Sequence, residues 1–361
     1  MIVSAAATLV LVAMLLVAPA PAAPAAPDGD HEAGSDEAAL RLIERASAAD
    51  TTTAYEGTQF VASWGSRSTS HLLHVRHEPG RGTTVRLLGN GERSVPAVRE
   101  DAGALSSLDS AEAADLLVRN YDVLTAGRQS VAGRDADVIE AWRRAEDERA
   151  HPVARFWLDR ETGVLLRRES YDETGRTVRG SAFFDIRVAE RESLSGTATA
   201  PGRLDPDWPD DPLTPAGELA AGELDAMAAK GWAVPRGFAG GLELLKARRL
   251  PDAAGEVMHL AYSDGLATVS VFEQRGRLDD AGLDGFRRVR LGGGIVHVYD
   301  GVPKQLVWAS HDIVFTVVTD APDESVAAVV AGLPMAAPAD NGLMARLGRG
   351  FSRAAAWFAS A

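Results

Sequence analysis

The stretch Glu190–Pro215 constrains the fold more than any other feature of this sequence. It is dense in Ser, Gly, Thr, Asp and Pro, a composition that favours an extended linker over packed structure. On both sides of it, short segments rich in β-branched and aromatic residues alternate with turn signals. The sequence therefore predicts two domains, residues 36–189 and 218–333, joined by a linker at 190–217.

The segment before the linker combines strands with two short helices. Leu40, Ile43 and Ala46 lie close together on a helical wheel, and Ala111–Asn120 is a second helix candidate with apolar cover. The predicted strands are Tyr55–Trp64, Ser68–His77, Thr83–Leu88, Tyr121–Thr125, Asp137–Trp142, Val153–Asp159, Val164–Tyr171 and Arg176–Val188. Because the later strands are separated by short Asp- and Gly-containing turns, we expect antiparallel hairpins.

The segment after the linker has helices at its margins, Leu219–Lys230 and Asp323–Leu333. The strands predicted between them are Glu256–Tyr262, Leu266–Glu273, Phe286–Leu291, Ile295–Tyr299, Lys304–Ser310 and Asp312–Thr319. This order of elements indicates a smaller α+β domain with an antiparallel sheet.

The two ends of the chain differ from the rest. No charged residue occurs in the first 27 positions, and the apolar run Ala5–Val17 is followed by small residues and prolines. This pattern favours an export signal, with an uncleaved membrane anchor as the alternative, so we expect the protein to be exported and extracytoplasmic. In the tail, residues 334–361, an apolar helical stripe lies opposite Arg346 and Arg349. This basic amphipathic helix either contacts an anionic membrane or docks on its own domain.

Composition and motifs argue against several classes of function. The formal net charge of −14 disfavours a nucleic-acid partner, and the absence of cysteine excludes disulfides and thiolate chemistry. His71, His74 and His77 are spaced by three, so they alternate between the faces of a strand and do not form a metal site. We also find no sequence motif of a catalytic nucleophile or a phosphate-binding loop. We therefore expect a binding protein and not an enzyme, with no catalytic residue, metal or cofactor.

Aromatic and large apolar residues are concentrated on the predicted strands of the first domain. Most of them are expected to be ordinary core residues. A curved sheet covered by only two short helices nevertheless encloses more volume than its own side chains fill, and a concave apolar space can hold a lipid chain. The candidates for such a lipid pocket are Phe60, Leu72, Tyr121, Phe156, Leu165 and Phe183.

The order of short motifs resembles the RseB/MucB family, regulators of the sigma-E envelope stress response. In the first domain the similar segments are Tyr55–Val61 (YEGTQFV), Tyr121–Val123 (YDV), Val131–Ile139 (VAGRDADVI), Phe156–Asp159 (FWLD), Thr162–Leu166 (TGVLL) and Phe183–Ile186 (FFDI). In the second domain they are Gly231–Pro235 (GWAVP), Gly237–Phe238 and Tyr262–Phe272 (YSDGLATVSVF). The resemblance covers about residues 36 to 333.

This resemblance implies a first domain shaped like the lipoprotein carriers LolA and LolB, a half-open antiparallel barrel with a helical lid. It implies a second domain that helps to hold the extracytoplasmic tail of a membrane-bound anti-sigma factor, shielding that tail from proteolysis. A lipid ligand would release the shield by competition. Ser263, Asp264, Gly265 and Phe272 are the candidates for binding this partner, although Ser-Asp-Gly is also good turn chemistry.

Two other functions remain open on the sequence alone. A lipid or lipoprotein carrier of the LolA type would use the same first domain, but simple carriers of that fold end after one domain. A hydrolase with an unfamiliar site is disfavoured because no catalytic motif is present.

Overall fold

The computed structural model describes residues 35–64, 68–79, 82–88, 98–100, 110–144, 151–189, 218–252, 255–278, 283–291, 293–300 and 303–335. The chain forms two antiparallel sheets and, within these ranges, four helices, which confirms the predicted α+β class. The proposed signal or anchor (1–27), the linker (190–217) and tail residues 336–361 lie outside the described residues. No helix within the described ranges is long and apolar enough to cross a membrane.

The first sheet has nine strands in the order β4-β3-β2-β1-β9-β8-β7-β6-β5, which is an open arrangement. The strands are β1 (Tyr55–Ser63), β2 (Thr69–Glu78), β3 (Gly82–Leu87), β4 (Val98–Glu100), β5 (Tyr121–Val131), β6 (Arg134–Arg143), β7 (Ala154–Asp159), β8 (Leu165–Tyr171) and β9 (Thr177–Val188). Its helices are α1 (Glu37–Thr52) and α2 (Ala111–Asn120). Strands that are adjacent in sequence pair as hairpins, except β4 and β5, which are separated by α2 and lie at opposite edges. Strand β9 returns to pair with β1.

Both helices begin at an N-cap whose side chain accepts a backbone hydrogen bond. Asp36 accepts from the amide of Ala39, and Ser110 accepts from the amide of Ala113. Along α1 one stripe is buried, consisting of Ala39, Ile43, Ala46 and Ala49. The helices pack by small and branched apolar residues, and together they cover one face of the first sheet.

Strand register defines the two faces of the first sheet. Ile139 pairs with Phe156 across β6 and β7, and both lie in the apolar cluster that contains the helix residues. We call this side the helix face. Val138 pairs with Trp157 one position along, so these two residues lie on the opposite face.

The second sheet has eight strands in the order β10-β11-β12-β13-β17-β16-β15-β14. The strands are β10 (Gly237–Phe238), β11 (Leu242–Asp252), β12 (Gly255–Ser263), β13 (Thr268–Arg275), β14 (Arg287–Leu291), β15 (Gly294–Tyr299), β16 (Lys304–Ser310) and β17 (Ile313–Thr319). Helices α3 (Ala221–Ala229) and α4 (Asp323–Gly332) contribute to its main core. That core surrounds Trp308, Phe315 and Tyr262, each of them fully buried.

Candidate functional site between the two sheets

The turn that joins β12 to β13, Ser263–Ala267, is held by its own side chains. One carboxylate oxygen of Asp264 accepts the amides of Leu266 and Ala267 at 2.8 and 2.7 Å. The Ser263 hydroxyl accepts the amide of Gly265 at 2.9 Å. These bonds satisfy the backbone donors of a turn that is entirely buried, so the Ser-Asp-Gly sequence forms the hairpin turn that its chemistry allows.

The same turn contacts the first sheet. The phenol of Tyr121, at the start of β5, donates to the second carboxylate oxygen of Asp264 at 2.8 Å. The side-chain amide of Asn120 donates to the backbone carbonyl of Asp264 at 2.9 Å. Asp264 therefore connects the two sheets while it orders its own turn.

Two residues of the turn fit against the helix face at close range. Gly265 has φ +92°, and a Cβ atom at this position would lie 2.1 Å from the backbone nitrogen of Leu117 in α2. Leu266 is 8% exposed and belongs to the apolar cluster of the first sheet, with Ile43, Leu117 and Phe156. The second sheet thus contributes a side chain to the core of the first.

Two arginines of the first sheet bind backbone carbonyls of the second. Arg168 donates to the carbonyl of Leu266, and its guanidinium lies 5.7 Å from the ring centroid of Phe156. Arg179 donates to the carbonyl of Asp320 and forms an ion pair of 3.1 Å with its carboxylate. Because these groups are largely buried, each contact is shielded from water.

The electrostatics of this contact are dominated by desolvation. Burial raises the pKa of Asp264, and the hydrogen bonds from Ala267, Leu266 and Tyr121 oppose that effect. Burial also raises the pKa of Tyr121 strongly, and the neighbouring Asp264 carboxylate adds to the increase. The phenol therefore stays protonated at neutral pH and remains the hydrogen-bond donor.

A cavity of about 870 Å³ lies beside the turn, between the two helices and the second sheet. From the first sheet's side it is lined by Ser47, Ala48 and Asp50 of α1, among others, and by part of α2. From the second sheet it is lined by residues that include Lys246 and Ala261. A volume of this size can accommodate a small ligand or part of a lipid chain.

Charges from both sheets meet in this cavity. Burial raises the pKa of Asp50, while the charges of His77 and Lys246 act in the opposite direction. The imidazole of His77 is itself buried, 2.7 Å from the carbonyl of Asp50 and 2.9 Å from the hydroxyl of Thr83. The carboxylate of Asp50, near the end of α1, therefore interacts electrostatically with Lys246 of the second sheet across the cavity.

The six lipid-pocket candidates do not lie on one surface. By register and alternation, Tyr121, Phe156, Leu165 and Phe183 lie on the helix face. Phe60 and Leu72 pair with each other, and Phe60 also pairs with Ala182, which puts both on the opposite face. Phe156 and Phe183 are buried, whereas the other four are half-buried. The cavity beside the turn is lined by other residues.

The four partner-binding candidates also separate. Ser263, Asp264 and Gly265 are buried in the contact between the sheets. Phe272 is half-buried on β13, on the side of the second sheet opposite Val271 and the main core, where it stacks on His259 with ring centroids 4.4 Å apart. Of these four residues, only Phe272 has a partly accessible side chain.

Glu273, a carboxyl group buried in the second sheet, was not among the residues predicted from the sequence. Its side chain is fully buried, and one oxygen accepts the amide of Ala233 at 2.9 Å. Its other oxygen has no hydrogen-bond partner within the described ranges. Burial raises the pKa of Glu273 to about 8. Its place after Val269 and Val271 in an alternating strand could have revealed its inward orientation.

The histidines of β2 make different contacts. His74 lies 3.1 Å from the carboxylate of Glu56, and His77 is buried near the end of α1. Within the part of the chain that the structure describes, no group of three His, Cys, Asp or Glu side chains could hold a metal ion.

Comparison with known proteins gives one family and several solved structures. Residues 38–208 match the family model described as the MucB/RseB N-terminal domain. No curated protein matches the sequence.

Among solved structures, a crystal structure of MucB is 21% identical, covering 82% of this chain and 98% of that one, with a TM-score of 0.45. The Pseudomonas aeruginosa MucA/MucB complex is 21% identical, covering 83% of this chain and 100% of that one, with a TM-score of 0.41. A LolA superfamily protein from Nitrosomonas europaea is 10% identical, covering 42% and 91%, with a TM-score of 0.20. The amino-terminal part of this chain, residues 38–208, is therefore similar to the MucB/RseB N-terminal domain.

Proposed function

We propose that this protein is an exported, extracytoplasmic regulator that binds the outer-side segment of a membrane anti-sigma factor and modulates its proteolysis. The observation that carries the proposal is the match of residues 38–208 to the MucB/RseB N-terminal domain. MucB has been solved in complex with the periplasmic part of MucA, which is consistent with a partner of this kind. On this proposal the protein acts by binding and has no catalytic site.

The junction of the two sheets supports regulation by a ligand. We propose that residues 36–189 and 218–333 are two domains, and that the cavity between them receives part of a lipid. Because both domains line this cavity, a ligand inside it contacts both at once. A lipid that binds better to one arrangement of the domains than to the other would shift the equilibrium by its difference in affinity, and partner binding would change with it.

A lipid or lipoprotein carrier is the second candidate function. The antiparallel sheet with helices over one face favours it, since that architecture suits a carrier. The position of Leu266 argues against it, because a residue of the second domain completes the core of the first. A simple carrier has no need of that contact.

A binding experiment separates the two functions. The chain comprising residues 28–361 is immobilised and exposed to membrane extracts of its own organism, with and without extracted lipid. Recovery of a single-span anti-sigma protein that lipid displaces would establish the regulator. Recovery of lipid without any such protein would favour the carrier and reject the regulator.

A further inference from the structure

Strand β14 forms one edge of the second sheet. It pairs with β15 at five consecutive positions, from Arg287 with Val298 to Leu291 with Gly294, without a register shift. Within the described ranges, no strand pairs with its other side. A regular edge of this kind presents backbone donors and acceptors that can pair with another extended chain.

The geometry of the hairpin determines which backbone groups point outward. Only two residues separate Leu291 from Gly294, and a two-residue loop makes the residues that flank it a hydrogen-bonded pair. Bonded and non-bonded pairs then alternate along antiparallel strands. The pairs formed by Arg288 and Arg290 are therefore non-bonded, and the N–H and C=O groups of these two residues face the free edge.

The side chains of β14 differ between the two faces of the sheet. Val289 and Leu291 are half-buried and pack against the main core. Arg288 and Arg290 are exposed on the other face, and neither has a hydrogen bond or ion pair with a described residue. Arg287 is already paired with Asp300 at 2.6 Å. The edge thus offers two uncommitted cations beside an apolar strip.

The other sheet edges are less suitable for pairing. Strand β10 has only two residues and β4 only three. At β5, Val123 exchanges backbone and side-chain hydrogen bonds with Ser35 and Asp36, which occupy the start of that edge. Further along β5 the register shifts between Thr125 and Arg128, and such a bulge interrupts pairing. Strand β14 alone combines a length of five residues with a regular register among these edges.

We propose that β14 is the docking edge for an extended acidic segment of the protein partner, which would add to the second sheet as a further strand. This inference rests on the proposed function and specifies the chemistry of the segment that is bound. Acidic residues at alternate positions would face Arg288 and Arg290, and apolar residues between them would continue the strip of Val289 and Leu291. A second copy of β14 does not fit, because it would put arginines beside arginines.

The probe for this edge is a seven-residue peptide, acetylated and amidated, in which Val and Glu alternate. The matched peptide has Lys in place of each Glu. Fluorescence anisotropy with the full chain should show that the Glu peptide binds at least about tenfold more tightly than the Lys peptide. In the double variant Arg288→Glu/Arg290→Glu this preference should reverse, so that the Lys peptide binds more tightly than the Glu peptide. Arg187→Glu, an exposed strand arginine of the first sheet, should leave it unchanged.

A backbone readout tests strand addition separately from charge. Amide exchange measured by NMR should slow at Arg288 and Arg290 when the Glu peptide binds, and stay constant at Val289, whose amide already faces β15. Arg290→Pro should weaken binding more than Arg290→Ala, because proline removes the outward N–H and alanine keeps it. Thermal unfolding of both variants shows whether the hairpin is retained.

The outcomes distinguish this inference from the proposed function. Equal binding of the two peptides, or protection at Val289 and not at its neighbours, would overturn docking at β14. If the charge-reversed variant captures the anti-sigma protein as well as wild type does, the regulatory function stands and the β14 inference fails. If wild type captures no such protein while the Glu peptide still protects Arg288 and Arg290, the edge is confirmed and the function is rejected.

Discussion

Tyr121 and Asp264, separated by 143 positions in the sequence, are joined by a hydrogen bond of 2.8 Å between phenol and carboxylate. The bond links the first strand after α2 to the turn between β12 and β13. Because Asp264 is buried, its carboxylate depends on this donor and on the two turn amides for the interactions that water would otherwise provide. Each residue of the contact therefore affects both the stability of its own sheet and the association of the two.

Tyr121→Phe should weaken this association. The substitution keeps the ring and leaves one oxygen of a buried carboxylate without its donor, which costs about 1 to 3 kcal/mol. Urea unfolding followed by circular dichroism would measure the lower free energy of unfolding. Tyr299→Phe is the control. Because Tyr299 is 42% exposed, this substitution should leave the protein's free energy of unfolding unchanged. Equal effects at the two tyrosines would contradict the role assigned to Tyr121.

Gly265→Ala should be more harmful than a positive φ angle alone explains. Gly265 and Gly127 have similar φ angles, +92° and +89°, but a Cβ at Gly127 meets no atom within 4 Å. Gly127→Ala measures the backbone strain, about 1 kcal/mol, and Gly265→Ala adds the clash with Leu117. The two midpoints of thermal unfolding give the difference. Indistinguishable midpoints would mean that α2 and the turn separate easily.

Glu273 should make the stability of the second sheet depend on pH. Its pKa is about 8 in the folded protein, against a reference of 4.5, so the folded state holds the proton more tightly. The stabilisation is full below about pH 4.5 and is lost as the pH rises through about 8. At 1.36 kcal/mol for each pKa unit, the loss is on the order of 5 kcal/mol.

Glu273→Gln should remove most of this dependence, because the amide cannot ionise. The free energy of unfolding, measured by urea denaturation from pH 5 to 9, should become nearly flat for the variant and decline for wild type. Glu173→Gln, at an exposed turn residue, should leave the decline in place. A wild-type protein with no decline over this range would show that Glu273 gains partners or water on ionising.

Phe272→Asp should preserve the fold and alter partner binding. The ring is half-buried and stacks on His259 away from the main core, so its loss should lower stability by about 1 kcal/mol. Val271→Asp, one residue earlier and facing the core, should unfold the second sheet. Circular dichroism and capture of the anti-sigma partner would be compared for both. An unfolded Phe272→Asp variant would remove this residue from the candidates for partner contact.

Ala48→Trp should reduce lipid binding if the cavity between the sheets is the lipid site. Ala48 is exposed on α1 and lines that cavity, so a larger side chain fills the space without entering the core. Ala38→Trp, also exposed on α1 but outside this cavity, is the matched control. Titration with a fluorescent fatty acid should give a several-fold weaker affinity for the first variant only. Equal affinities would move the lipid site elsewhere.

The local sequence pattern was sufficient to predict most of the secondary structure. Period-two alternation and turn residues predicted long hairpin strands such as Val153–Asp159, and the observed β7 lies within that range. Strand β11 was missed because Lys246, Arg248 and Arg249 interrupt its apolar pattern. Those cations are tolerated there because a strand presents alternate residues to different environments.

The sequence by itself determined the α+β class, the antiparallel hairpins and the turn chemistry of Ser263 and Asp264, since each depends on neighbouring residues. Tertiary structure decided which surfaces these residues meet. Phe60 and Phe156 are equally apolar, yet they lie on opposite faces because side-chain direction follows a register relayed through every intervening strand. Asp264 reaches Tyr121 only when two sheets dock, and no local pattern encodes a contact between residues so far apart in the chain.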